Sequence, residues 1–253
     1  MTVKDLYCAM SERMPEHLRE SWDNDGIMCC ADSSYDVKNV LITLDVTEEV
    51  VDYAIDRNFD LIISHHPLIF KPIGAITDDN HISRKIIKLI TNNISVFSFH
   101  TRADKAEGGV NDILANLLGL KNVEPFGEGG LGRIGEYPTE YEIDEFIHIV
   151  KTKLGADGVR VADGYNTVKR VALVGGEGKG YVKDAIDLGA DTYISGRIGY
   201  NVMEEAPERC INLVEAGHYY TEAPVTKYFA DLVAEFDGNA YVEITDSNMI
   251  KVY

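Results

Sequence analysis

Leu61-Ile62-Ile63-Ser64-His65-His66-Pro67 is the stretch on which the reading of this chain turns. Three apolar residues end a buried strand, two histidines follow, and Pro67 stops the ladder because it has no backbone N–H to donate. Neighbouring residues on an extended strand point to opposite faces. The two imidazoles can therefore share one centre only if the backbone turns just past the last paired residue. A His-His pair at a strand end is a candidate metal corner, since neutral imidazole is the commonest protein ligand for metals. Two uninvolved surface histidines are the competing reading, and the rest of the chain has to decide between them.

Working outward, Ile63-Ser64 recurs as Ile194-Ser195, an offset of 131 residues. The same offset relates Val37-Lys38-Asn39-Val40 to Val168-Lys169-Arg170-Val171. It also relates Val51, Ala54, Ile55, Asp56 and Asp60 to Val182, Ala185, Ile186, Asp187 and Asp191, without a gap. Asp25-Gly26-Ile27 resembles Asp157-Gly158-Val159, shifted by one residue. A fixed register of this kind points to internal duplication. Each half reads alike: a helix (3–14 and 143–154), a short strand (26–30 and 159–162), a buried strand (40–44 and 171–174) and a helix (48–57 and 182–188). A strand ending at Ser64 or Ser195, a returning strand (94–99 and 211–215) and a last helix (110–118 and 223–236) complete it. Alternating strands and helices predict the α/β class, as two similar α/β domains with largely parallel sheets. Pro125, Gly127, Gly129 and Gly130 loosen the chain near 123–130, so the domains are expected at 1–124 and 125–253.

His100-Thr101-Arg102-Ala103-Asp104 and His218-Tyr219-Tyr220-Thr221-Glu222 each follow the returning strand of a half. Both read His-x-x-x-carboxylate, a spacing that places the two groups on one face of a helical turn. Taken singly, each carboxylate is as readily a helix cap. Position favours more: Asp45, His65, His66, His100 and His218 all fall just past the carboxyl ends of expected parallel strands, the edge where open α/β sheets bind ligands. His17, His81 and His148 fall on helices or loops and read as surface residues. Imidazole with carboxylate suits Zn, Fe, Mn or Ni better than Mg or Ca. The donors outnumber the needs of one tetrahedral ion and fit two, about 3.5–4 Å apart as in two-metal hydrolytic sites. Gly175-Gly176-Glu177-Gly178-Lys179-Gly180 lacks both the GxxxxGK[ST] and the GxGxxG spacing, so a tight βα turn is expected there rather than a phosphate cradle. No Gly-x-Ser-x-Gly elbow supports a serine hydrolase.

The 253 residues carry 24 basic against 42 acidic side chains, a net charge of -18, with 45% hydrophobic residues. That content suffices for a packed core, and that charge argues against a broad nucleic-acid-binding surface. Four cysteines, Cys8, Cys29, Cys30 and Cys210, show no metal-ligand spacing and read as reduced thiols of a cytoplasmic protein. The N-terminus lacks the apolar core of a signal peptide, and no run approaches the ~18 apolar residues that suggest a membrane span.

Trp22-Asp23-Asn24, Leu44-Asp45-Val46-Thr47, Ser64-His65-His66-Pro67, His100-Thr101 with Asp104, Gly108-Gly109-Val110-Asn111-Asp112, and Ala216-Gly217-His218 with Thr221-Glu222 carry a family resemblance. Over essentially its whole length the chain resembles the Nif-three-like dinuclear-metal proteins, many of them named GTP cyclohydrolase type 2 homologues. The resemblance implies the Nif-three-like fold and two divalent metals held by His65, His66, Asp104, His218 and Glu222, with His100 a neighbour in the pocket and a candidate proton carrier. It further implies a ring-shaped homohexamer and hydrolysis of a small nucleotide-like substrate. A non-catalytic hexameric metal-binding scaffold or regulatory protein is the alternative. One departure stands out. Many relatives have Gly-Asp-x-x-Tyr-His where this chain has Gly196-Arg197-Ile198-Gly199-Tyr200-Asn201, which bears on substrate choice and activity rather than on the five ligands.

Overall fold

A computed structural model describes residues 1–252. Its eleven strands are β1 (Gly26–Cys29), β2 (Asn39–Thr43), β3 (Leu61–Ser64), β4 (Ser95–Ser98), β5 (Lys121–Phe126), β6 (Gly132–Tyr141), β7 (Arg160–Ala162), β8 (Val168–Glu177), β9 (Thr192–Arg197), β10 (Asn212–Glu215) and β11 (Tyr241–Ile244). They form two sheets, ordered β1-β4-β3-β2-β11 and β5-β6-β8-β9-β10-β7. The chain divides into two compact units: Met1–Ala106 with Val225–Asn248, and Glu107–Pro224 with the segment from Met249.

The duplication is visible in the pairing. Val40↔Leu61 and Thr43↔Ser64, in parallel β2 and β3, recur as Val171↔Thr192 and Val174↔Ser195 in parallel β8 and β9. A carboxylate fixes the same corner twice: Asp60 accepts from the Lys38 and Asn39 amides at 2.8 Å, and Asp191 accepts from those of Lys169 and Arg170 at 3.0 and 2.7 Å. The antiparallel edge strand also recurs, but Gly26 lies opposite Ser98 whereas Arg160 lies opposite Glu215. The Asp25-Gly26-Ile27 match therefore does not mark structurally equivalent residues; pairing with the returning strand, not sequence likeness, sets this register.

In the first unit, Leu41, Ile62 and Val96 pack with Val50, Val51 and Ala54 of helix Glu48–Asp56 and with Ile86 and Leu89 of helix His81–Thr91. Both helices start on a side-chain cap, Thr47 accepting from Val50 N and Asn80 from the Ile82 and Ser83 amides. Tyr7 of helix Val3–Arg13 meets Phe97 edge-on at 5.2 Å, and Phe229 of helix Val225–Phe236 lies 6.1 Å from Phe99. The second unit packs Leu114, Leu118, Phe146 and Val150 against Val171, Leu173, Ile194 and Val214, and Val182, Ala185, Met203 and Ala206 into a separate cluster with Ala172, Val174, Tyr193 and Leu213.

Two expectations change. Residues 123–130 are not a plain linker: they hold most of β5, which pairs antiparallel with β6 and tolerates Pro125 because it is an edge strand. Gly127, Gly129 and Gly130 turn the chain between them at positive φ. Helix Val225–Phe236 and β11 belong to the first unit, where β11 runs parallel to β2 from Tyr241↔Asn39 to Ile244↔Ile42. The helix buries Phe229, Leu232 and Val233, so its apolar face takes the surface available there instead of closing the second half.

Candidate metal centre

In the first unit, Asp45 lies just beyond β2, His65 and His66 directly follow β3, and His100 lies just beyond β4. Ser64 makes the turn that the His-His pair requires: its hydroxyl donates to the His66 carbonyl at 2.8 Å and lies 2.9 Å from the Ser98 hydroxyl. The His65 and His66 ring centroids end 4.9 Å apart, with His100 at 5.2 and 5.6 Å from them. One ligand atom from each of these three histidines lies within 4.8 Å of the other two. Surface histidines scattered by chance would not converge in this way.

Each ring is held through Nδ1. His65 Nδ1 is 2.9 Å from the Phe99 carbonyl oxygen, which can only accept, so the ring donates. His66 Nδ1 meets the Asp45 carboxylate at 2.7 Å, and His100 Nδ1 meets that of Asp23 at 2.7 Å. A proton held on Nδ1 leaves the lone pair of a neutral ring on Nε2, the usual way an outer hydrogen bond prepares a metal-binding histidine. Burial works to raise the Asp23 carboxyl pKa, but hydrogen bonds from His100 and Thr101 outweigh it and lower the pKa to about 2. Burial likewise works to lower the His100 pKa, and Asp23, with the charge of Asp104, raises it above the ordinary histidine value.

Asp104 sits on the short helix Thr101–Lys105, its carboxylate 3.7 Å from His65 Nε2. The expected pairing of residues 100 and 104 on one helical face is not what forms. His100 is the helix cap with non-helical backbone, so its ring turns to Asp23 while Asp104 reaches His65. Arg102, on the same helix, is completely buried: it donates to Asp25 at 3.0 Å and to the Met14 carbonyl at 3.1 Å, and stacks over Phe99 at 4.8 Å. Asp25 has its pKa raised all the same, because burial outweighs the guanidinium beside it. Sequence reasoning gave Asp23 and Arg102 no role, although Asp23 lies in a stretch that carried the family resemblance and Arg102 in a His-x-x-x-carboxylate stretch; an acid ahead of a strand, not past its carboxyl end, has no spacing signal to reveal it.

In the second unit, His218 Nε2 and Glu222 Oε2 lie 2.9 Å apart on one turn of helix His218–Glu222, as the spacing predicts. The glycines at 175 and 176 are the space this carboxylate needs. A Cβ on Gly175 would fall 2.9 Å from Val110 Cγ1 and 3.5 Å from Glu222 Cγ, and one on Gly176 would overlap the Glu222 carboxylate. Gly176 also holds φ +62° and donates its amide to Thr221 Oγ1 at 3.1 Å. This pair is thus not a simple βα turn: both residues lie inside β8, and helix Val182–Asp187 begins only after a short 3-10 turn. Arg197 and Asn201 are exposed, with Arg197 opposite Glu177 in the β8–β9 ladder. His17, His81 and His148 are exposed, as expected of surface residues.

Nitrogen and carboxylate oxygen donors without thiolate are the chemistry that borderline first-row metals prefer, and clustered His and Glu side chains of this kind could hold a metal ion. Among the described residues, no helix is long and apolar enough to cross a membrane.

Comparison with known proteins agrees with this fold. The family model described as Duf34/NIF3 (NGG1p interacting factor 3) matches residues 1–252. A protein of Clostridium perfringens named GTP cyclohydrolase 1 type 2 homolog is 36% identical over 242 residues, 93% of this chain and 92% of the relative. One of the same name from Clostridium acetobutylicum is 34% identical over 232 residues, 88% of this chain and 86% of the relative. The crystal structure of Staphylococcus aureus hypothetical protein SA1388 superposes with a TM-score of 0.90 at 28% identity, over 100% of this chain and 99% of that one.

Proposed function

The chain belongs to the Duf34/NIF3 family, and from that premise we propose that His65, His66, Asp104, His218 and Glu222 together hold two divalent metal ions in a hydrolase acting on a small nucleotide-like substrate. The observation that carries this reading is the convergence of His65, His66 and His100 within 4.8 Å with every Nδ1 engaged, so that Nε2 is the nitrogen each ring offers. Zn, Fe, Mn or Ni would each suit the donors, and such a pair of ions supplies Lewis acidity and an activated water.

The chain's own residues do the rest. Asp104 and Glu222 bring negative charge that offsets the ions, and Asp45 orients His66 through Nδ1. His100, gripped at Nδ1 by Asp23, is placed to carry a proton at Nε2 between the reacting group and solvent. The hydrolase class is also supported by the relatives' name, GTP cyclohydrolase 1 type 2 homolog. A toroidal homohexamer in the cytoplasm is part of the same proposal, resting on the family resemblance.

Elemental mass spectrometry on untagged protein tests the centre. About two first-row metals per chain are expected, with a loss in His65→Ala and Glu222→Gln while light scattering still gives a hexamer mass. Metal near zero after supply of Zn, Fe and Mn overturns it. A screen of nucleotide substrates then tests hydrolysis, with turnover expected to vanish in the same two variants.

A further inference from the structure

Beside the histidine cluster, two large aromatic rings are held in the open. Trp22 is 59% exposed and Phe70 43% exposed. Their centroids lie 6.2 Å apart at an interplanar angle of 70°, and each also meets His100 nearly edge-on, Trp22 at 6.1 Å and Phe70 at 6.2 Å. The three rings make an open corner whose inner edge is the imidazole proposed to carry the proton.

Two loops bear these rings, and both are pinned. Next to Trp22, Asp23 accepts from the Thr101 hydroxyl at 2.6 Å, the Thr101 amide at 3.1 Å and the His100 ring. The Asn24 side-chain amide donates to the carbonyl of Ile69, the residue before Phe70, and so ties one loop to the other. Rings fixed from behind with their faces in water have not collapsed onto the core, and exposed apolar surface beside a polar centre is the usual make-up of a ligand site.

We propose that Trp22 and Phe70, with His100 between them and the histidine cluster, form a subsite for a flat heteroaromatic ring of the purine or pterin kind, and that this ring is how the substrate is gripped. The proposal deepens the hydrolase reading and rests on it for the identity of the reacting end. Ring on ring is the interaction that aromatic corners supply, by offset stacking or edge contact with centroids about 4.5–7 Å apart. An organic cation would suit the aromatic faces equally well. Here it would sit beside the proposed divalent ions and be repelled by them. An aliphatic ligand would gain burial alone, which Leu or Ile would provide as well as Trp and Phe.

Trp22 is the chain's only tryptophan, so its emission reports this corner alone. The metal-loaded, full-length protein is titrated with guanosine and adenosine, and with ribose 5-phosphate as a control that lacks the base. Saturable quenching by the nucleosides and none by ribose 5-phosphate is expected. Phe70→Ala should weaken nucleoside binding about tenfold, the usual scale of base–aromatic stacking, and Phe70→Tyr should restore it, with metal content unchanged in both. Absence of saturable quenching overturns the proposal, as does nucleoside affinity indifferent to Phe70→Ala. Failure of iodide to reach Trp22 in the ligand-free protein also overturns it, because another copy of the chain then covers the ring. Metal content measured on the same samples separates the two readings. Nucleoside binding without metal removes the hydrolase and keeps the subsite, whereas metal without nucleoside binding removes the subsite alone.

Discussion

Asp23 is where the chemistry of single residues is most exposed to test. Its carboxyl pKa, lowered from the ordinary value of 3.8 to about 2, means that the folded state favours the ionised form. Such a group contributes stability that is present above pH 3.8 and is lost as pH falls toward 2. The size is about 2 kcal/mol. His100, whose pKa is raised, contributes in the opposite sense, fully below the ordinary histidine pKa and progressively less as pH rises through its folded value. Urea titration of metal-free protein across pH should show both slopes, and Asp23→Asn should flatten the acid one; an unchanged acid slope would remove the assignment. Arg102→Ala should cost about 3–5 kcal/mol by stranding buried Asp25, read as a lower urea midpoint. Cys29, buried, has its thiol pKa raised to about 11, so it should resist alkylation at neutral pH while exposed Cys8 and Cys210 react. At this scale the sequence pointed to candidate residues but not to how they pair. The spacing of His100 and Asp104 suggested one couple, and the structure makes two others, because a residue just outside a helix does not obey the periodicity of the helix.

Repetition governs the elements. The strand–helix–strand register that recurs 131 residues on was legible because apolar matches and the Asp60 and Asp191 anchors kept one spacing. Hydrogen bonds to a charged acceptor are worth about 1.5–3 kcal/mol each, so Asp60→Ala and Asp191→Ala should each destabilise the fold on that scale in urea unfolding, the two losses adding if the corners are independent. The hairpin of β5 and β6 was not legible, since its glycines and proline carry the same signature as a linker. Gly175 and Gly176 were misread for a related reason: a glycine kept for the room it leaves looks, in sequence, like a glycine kept for its turn. Gly176→Ala should both strain a positive φ and push on Glu222, and elemental analysis should find metal content reduced with the fold retained.

For the molecule as a whole, the proposed metal ligands would couple metal binding to stability. A metal that binds only the native state stabilises it by about 4 kcal/mol at a thousand times its Kd. A chelator should therefore lower the Tm of the wild-type chain and leave His65→Ala unmoved; equal shifts in both would show that the metal contributes nothing at these residues. The sequence supported two α/β halves but not their true composition, because nothing in the pattern of helix Val225–Phe236 says which sheet it will cover.

That return of the chain has a consequence for synthesis. β2 pairs with β3 on one side, and its other edge is filled by β11, whose residues Tyr241–Ile244 are translated long after β2. During translation the first sheet waits with an open edge on β2 while the whole second unit up to Pro224 is made. That strand is a latch that closes only once Tyr241–Ile244 have been made, so a message truncated before Tyr241 leaves an open sheet edge and a product marked for aggregation or proteolysis.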